Sequence, residues 1–202
     1  MVDGTFINSI INTNLLIVGT PDVNHHIIPL GFAFCQGEKC DIIQTLIEKS
    51  VNHKFSNIKT IFSDEGVSIE QAIANLGLSD KHKNCLFHLA TRQTFFKLSH
   101  YIFSIFKSVH NDEFCSHIKH LKSLIKKNYP NVSKEYRDNY LLKLMKINPF
   151  KTKDFDAGLF STSILESFNN EIKKWSTRSI PDLISELIEY AKFFKEMQKL
   201  KM

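Results

Sequence analysis

The chain has 202 residues, 43% hydrophobic and 23% charged, with only 7 Gly and 5 Pro, which suits a soluble globular domain, or a domain with an insertion, and excludes low-complexity linker. A net charge of +5 at pH 7 is compatible with a polyanionic partner without requiring one. No stretch approaches the ~20 apolar residues of a membrane span, and Met1-Val2-Asp3-Gly4 lacks the basic and apolar regions of a secretory leader. A soluble intracellular protein is expected, with Cys35, Cys40, Cys85 and Cys115 reduced.

The first third reads as strands. Gly4 to Ile11 carries Phe6, Ile7, Ile10 and Ile11, and Asn12-Thr13-Asn14 offers a turn. Leu15-Leu16-Ile17-Val18-Gly19 is a continuous apolar run, as in a strand covered on both faces. After a turn at Pro21–Asn24, Ile27 to Cys35 forms a third strand, in which Pro29 predicts an edge or a bulge. These three strands form an antiparallel meander. A helix follows over Asp41–Val51, then a short strand at Ile58–Phe62, a helix at Ser68–Leu76 and a fifth strand at Cys85–His88. This is the element order of a ribonuclease H-like α/β core.

From Thr91 to Asn148 the pattern is helical. One helix is predicted near Thr94–Val109, a second from Asp112 to about Asn128 with Asn111 and Asp112 as caps, and a third from Ser133 to about Ile147. Phe95, Phe96, Phe103 and Phe106 have the spacing of core packing. The helical pattern restarts at Ser161, breaks near Ser179-Ile180-Pro181 and runs on to the C-terminus, with Pro181 in the first turn of the last helix. The expected organisation is a core in residues 1–90, an all-helical insertion over 91–150, and helices over 151–202 that complete the core.

Three acidic residues stand out. Asp3 lies on the first strand, Asp64 follows the fourth, and Glu166 sits in Ser161-Thr-Ser-Ile-Leu-Glu166-Ser-Phe-Asn169-Asn170-Glu-Ile-Lys173-Lys174. Oxygen ligands suit Mg²⁺, and two such ions about 4 Å apart stabilise the entering and departing oxygens of a displacement at phosphorus. Each residue also has a plain structural reading. Asp3 could be a solvated terminal residue, and Asp64-Glu65-Gly66 a polar turn. Glu166 could close the capping box Ser163-Ile-Leu-Glu166. Their combination in this element order favours the metal site.

Val2-Asp3-Gly4-Thr5-Phe6, Leu15–Gly19 and Pro29–Ala33 resemble the opening of Mutator-like element (MULE) transposase domains. Phe62-Ser63-Asp64-Glu65-Gly66 followed by Ala72-Ile73 is similar to that family's second-aspartate segment. Cys85-Leu-Phe-His88 resembles its C-x-x-H motif, and Thr162–Asn169 the segment with its catalytic glutamate. The resemblance implies that Asp3, Asp64 and Glu166 are DDE ligands of Mg²⁺ or Mn²⁺ in a DNA strand-cleaving and strand-transferring enzyme. It also implies a ribonuclease H-like fold with an all-helical insertion ahead of the glutamate.

Around this triad, Cys85 is expected to be a small buried hydrophobe, since a lone C-x-x-H supplies two of the four ligands of a structural zinc site. His88 is expected near the acidic cluster, contacting DNA or orienting a ligand. Glu166, Asn169, Asn170 and Lys173 share one helical face, on which Asn169, Asn170 and Lys173 are candidate DNA contacts, while Ile164, Leu165, Phe168 and Ile172 should be buried. Lys119, Lys122, Lys126 and Lys127 face either DNA or water. The first strand starts close to Asp3 and no Cys/His-rich region flanks the domain, so a fragment or degenerate copy is expected. Self-association is expected by analogy, and a nuclear location if the source is eukaryotic. The rival readings are a domesticated, non-catalytic DNA- or protein-binding relative, and a nuclease acting on another nucleic acid.

Overall fold

A computed structural model describes residues 1–7, 13–22, 27–148, 150, 170, 172 and 179–199. The chain divides into two compact units, Met1–His82 with Thr162–Met202, and Lys83–Ser161. Among the described residues it is a mixed α/β protein with two small sheets and seven α-helices.

In the first unit, β1 (Val2–Ile7), β2 (Thr13–Pro21) and β3 (Ile27–Cys35) form an antiparallel sheet in chain order. Asp3 stands opposite Ile17, and Leu16 opposite Ala33. The ladder shifts register between Val18 and Gly19, where the partners move from Gly31 to Pro29. Proline cannot donate to a ladder, so it falls on this edge strand at an irregularity, as its position predicts. Gly19 is required by close approach. A Cβ there would stand 2.9 Å from the Ile27 side chain.

The apolar run of β2 is covered on both faces. Leu16 and Val18 enter a core with Val2, Ile43, Ile47, Ile61 and Ile73, while Leu15 and Ile17 enter another with Ile27, Ile172, Leu183 and Leu187. Full burial of a Leu or Ile side chain contributes about 1.5–3 kcal/mol, so β2 is the strand that ties both layers to the sheet. The first layer is α1 (Cys40–Ser50) and α2 (Val67–Asn75), which pack on each other, with α1 against β2 and β3. The opposite layer includes α7 (Ile180–Lys199), packed on β3. Ser179 Oγ accepts the Asp182 N–H at 3.4 Å ahead of α7, and Pro181 lies in its first turn, where a missing N–H costs nothing.

The remaining strands, β4 (Ile61–Ser63) and β5 (His82–Asn84), form a separate two-stranded sheet, not an extension of the meander. This corrects the expected single sheet of three strands plus two. β4 does lie beside β1. The fifth strand also moves. Cys85–His88 is not a strand: Cys85 is the extended residue preceding α3 (Leu86–Thr91), and β5 falls on the polar His82-Lys83-Asn84. A four-residue apolar run cannot by periodicity alone distinguish a strand from a buried helical turn.

Among its described residues, the second unit is mostly helical after α3. A 3₁₀ stretch covers Gln93–Leu98, followed by α4 (Ser99–Ile105), α5 (Asn111–Asn128) and α6 (Lys134–Lys146). The single helix expected over Thr94–Val109 is thus two shorter pieces. Phe95, at φ −119° and ψ 16°, leaves the helical region. Its ring is fully buried and lies 4.5 Å from that of Tyr140, 5.2 Å from Tyr129 and 5.9 Å from Tyr136. Phe96, expected in the core, is instead 60% exposed, because the break at Phe95 removes the helical periodicity on which that expectation rested. Tyr140 Oη donates to the Leu89 carbonyl at 2.9 Å inside the core. Ser133 caps α6, its hydroxyl accepting the Tyr136 N–H at 3.2 Å. α5 departs from expectation. Its N-cap is His110, without a side-chain cap, and Glu113 reaches back to accept the Val109 N–H at 2.8 Å. No helix among the described residues is long and apolar enough to cross a membrane.

Candidate functional site

Asp64 follows three buried residues, Ile61, Phe62 and Ser63, at the point where β4 turns toward α2. Its Oδ1 accepts the N–H of Gly66 at 3.1 Å, closing a turn that delivers the chain to α2, whose N-cap is Gly66. Ser63 Oγ donates to the Asp64 carbonyl at 2.8 Å and lies 2.8 Å from His82 Nε2. The aspartate is therefore held by its neighbours at both its carboxylate and its backbone.

A second carboxylate shares this corner. Glu38, in the connection from β3 to α1, places Oε2 3.5 Å from the position a Cβ on Gly66 would occupy, and Asp64 Oδ1 lies 3.1 Å from the same point. Burial, then repulsion from Asp64, pushes the Glu38 carboxyl above its ordinary range. Two hard oxygen donors in one half-buried corner suit Mg²⁺ or Mn²⁺ in kind. Among the described residues, no group of three or more His, Cys, Asp or Glu side chains gathers to hold a metal.

Of the sequence-predicted residues, Asp3 stands on β1, the strand beside β4, with its backbone opposite Ile17. Glu166, Asn169 and Lys173 lie outside the described residues. Asn170 is helical and exposed, and Ile172, two positions on, is fully buried against Leu15 and Ile17, as its face of the helix predicts. Cys85 is fully buried, and with His88 on α3 it belongs to the second unit.

Sequence reasoning missed Glu38, Ser63 and His82. For Glu38 the signal was a carboxylate just beyond an apolar strand, at Cys35-Gln-Gly-Glu38, the same placement that singled out Asp64. Nothing in the sequence marks the meeting of Ser63 with His82, which depends on the β4–β5 pairing.

A strand-end aspartate beside a strand that carries another is the frame that the comparison with protein families bears on. Residues 1–92 match the MULE transposase domain. The match takes in Asp3, Glu38, Asp64, Cys85 and His88 and ends at Arg92, ahead of α4 to α6 and of Glu166. No curated protein matches the chain. The MULE match ties the segment holding the Asp64 corner to a transposase-related function.

Proposed function

We propose that the chain is a DDE-type transposase catalytic domain that cleaves and transfers DNA strands. The observation that carries this reading is the position of Asp64 at the end of β4, beside the strand bearing Asp3, within the segment that matches the MULE domain. A ribonuclease H-like core is proposed with it, supported by the order β1-β2-β3-α1-β4-α2-β5.

In this reading Asp3, Asp64 and Glu166 hold Mg²⁺ or Mn²⁺, which when bound supplies charge stabilisation to the oxygens exchanged at phosphorus. The residues' own task is orientation. Gly66 N–H and Ser63 fix Asp64 before any ligand arrives, so little reorganisation is required on binding. Asn169, Asn170 and Lys173 are proposed contacts to the DNA backbone. Charge distribution supports a polyanionic partner more sharply than the overall excess does. Within Lys83–Ser161 there are 14 Lys and Arg against 6 Asp and Glu, so the second unit carries the basic surplus.

The test is nicking of supercoiled plasmid in Mg²⁺ or Mn²⁺ by the wild-type chain and by Asp64→Asn. Metal-dependent nicking lost in the variant is the expected result. DNA binding with no nicking in any metal would replace the enzyme with a non-catalytic, transposase-derived DNA-binding protein. Preference for an RNA–DNA hybrid over DNA would indicate a nuclease instead.

A further inference from the structure

The Ser63 side chain is fully buried, and its hydroxyl lies 2.8 Å from the Asp64 carbonyl oxygen and 2.8 Å from His82 Nε2. A serine hydroxyl has one proton, and a carbonyl oxygen can only accept. That proton therefore belongs to the Asp64 carbonyl, and Ser63 Oγ receives its other hydrogen bond from His82. His82 thus presents Nε2–H, and a directed chain runs from its imidazole through Ser63 to the backbone of Asp64.

The carbonyl so gripped belongs to the peptide joining Asp64 to Glu65. Its orientation sets ψ of Asp64 and the path by which Gly66 N–H returns to Asp64 Oδ1 at 3.1 Å. One end of the turn is held through β5, which carries His82, and the other by the Gly66 amide at the start of α2. The carboxylate direction follows from both.

We infer that His82, acting through Ser63, is a positioning residue for Asp64 that fixes the direction of its carboxylate and thereby its affinity for a divalent cation. This rests on the proposed role of Asp64 as a metal ligand. Groups that orient a ligand in this way typically contribute about 10–100-fold in metal affinity.

The test is Mn²⁺ binding to the full chain, read from the electron paramagnetic resonance signal of free Mn²⁺, with thermal melts in metal-free buffer alongside. His82→Leu removes the donor and should weaken Mn²⁺ binding by roughly 10-fold or more. His82→Gln, whose side-chain amide can present an N–H where Nε2–H stands, should recover most of the affinity that His82→Leu loses. Ser63→Ala, which loses only the hydroxyl, should reproduce His82→Leu and decides the matter if the leucine variant does not fold. Unchanged Mn²⁺ affinity in Ser63→Ala or in folded His82→Leu, with only the melting temperature lowered, would overturn the inference and leave the chain of bonds as a fastening between β4 and β5. Asp64→Asn separates the two levels. If it loses Mn²⁺ while Ser63→Ala and His82→Leu do not, only the positioning role falls. If it binds as wild type does, or wild type binds none, the ligand role of Asp64 falls and the positioning role with it.

Discussion

The Glu38 and Asp64 carboxylates both approach Gly66, with Glu38 Oε2 at 3.5 Å and Asp64 Oδ1 at 3.1 Å from the position a Cβ there would occupy. Burial and the Asp64 charge together raise the pKa of Glu38 from its ordinary 4.5. The folded state then holds that proton more tightly than the unfolded chain does. The associated stability is complete below the ordinary glutamate range and is lost as pH rises through the folded value. Glu38→Gln is therefore expected to raise the melting temperature at neutral pH and to leave it unchanged in acid. Thermal melts across a pH series check this. A lower melting temperature for the variant at pH 7 would mean that the carboxylate is held by attraction.

Glu113 provides the opposite sign. The Val109 N–H it accepts, reinforced by His110 and His117, draws its carboxyl below the ordinary range. Its contribution is present above that range and disappears as pH falls through the folded value. Glu113→Gln should thus melt below wild type at neutral pH, and the two curves should converge in acid. Because the group is solvent-exposed, the gap should also shrink with added salt.

The second unit depends on Phe95 and Tyr140. Phe95→Ala empties a fully buried site ringed by tyrosines and is expected to cost about 3–5 kcal/mol. Tyr140→Phe keeps the ring but strips the Leu89 carbonyl of its 2.9 Å donor, at a cost of about 1–3 kcal/mol. Urea unfolding of the full chain should rank the two in that order. The reverse ranking would show the hydrogen bond to matter more than the ring.

Ser133 is the side-chain cap of α6. Ser133→Ala should destabilise by about 1 kcal/mol and Ser133→Asp should restore most of it. Denaturant midpoints of the three proteins give the comparison. Equal midpoints for alanine and serine would mean that water serves the Tyr136 N–H as well as the hydroxyl does.

Much of the first unit was legible because its strands carry unambiguous patterns. The apolar run at Leu15–Val18, set between turn signals, fits a strand covered on both faces, and Pro29 fits an edge or irregularity, and both lie where expected. β5 was not legible, since His82-Lys83-Asn84 has no apolar residue to mark it and owes its conformation to pairing with β4. The break at Phe95 was hidden for a related reason. The aromatic spacing there fits a helix, and the ring's burial among three tyrosines bends the backbone out of one. For the site, Asp64 was found from its strand-end position and Glu38 carried the same signal, whereas His82 reaches Ser63 through the β4–β5 pairing, which no local pattern encodes.

The first unit is assembled from two separate stretches of the chain, with Leu183 and Leu187 of α7 closing over Leu15 and Ile17 of β2. During synthesis, β2 must wait until the whole of Lys83–Ser161 and then α7 have been made before one side of its sheet is sealed. The unit in between, Lys83–Ser161, is continuous in sequence and is made earlier. A product terminated before α7 would therefore display a sticky aliphatic sheet face and would be a ready substrate for chaperones and for aggregation.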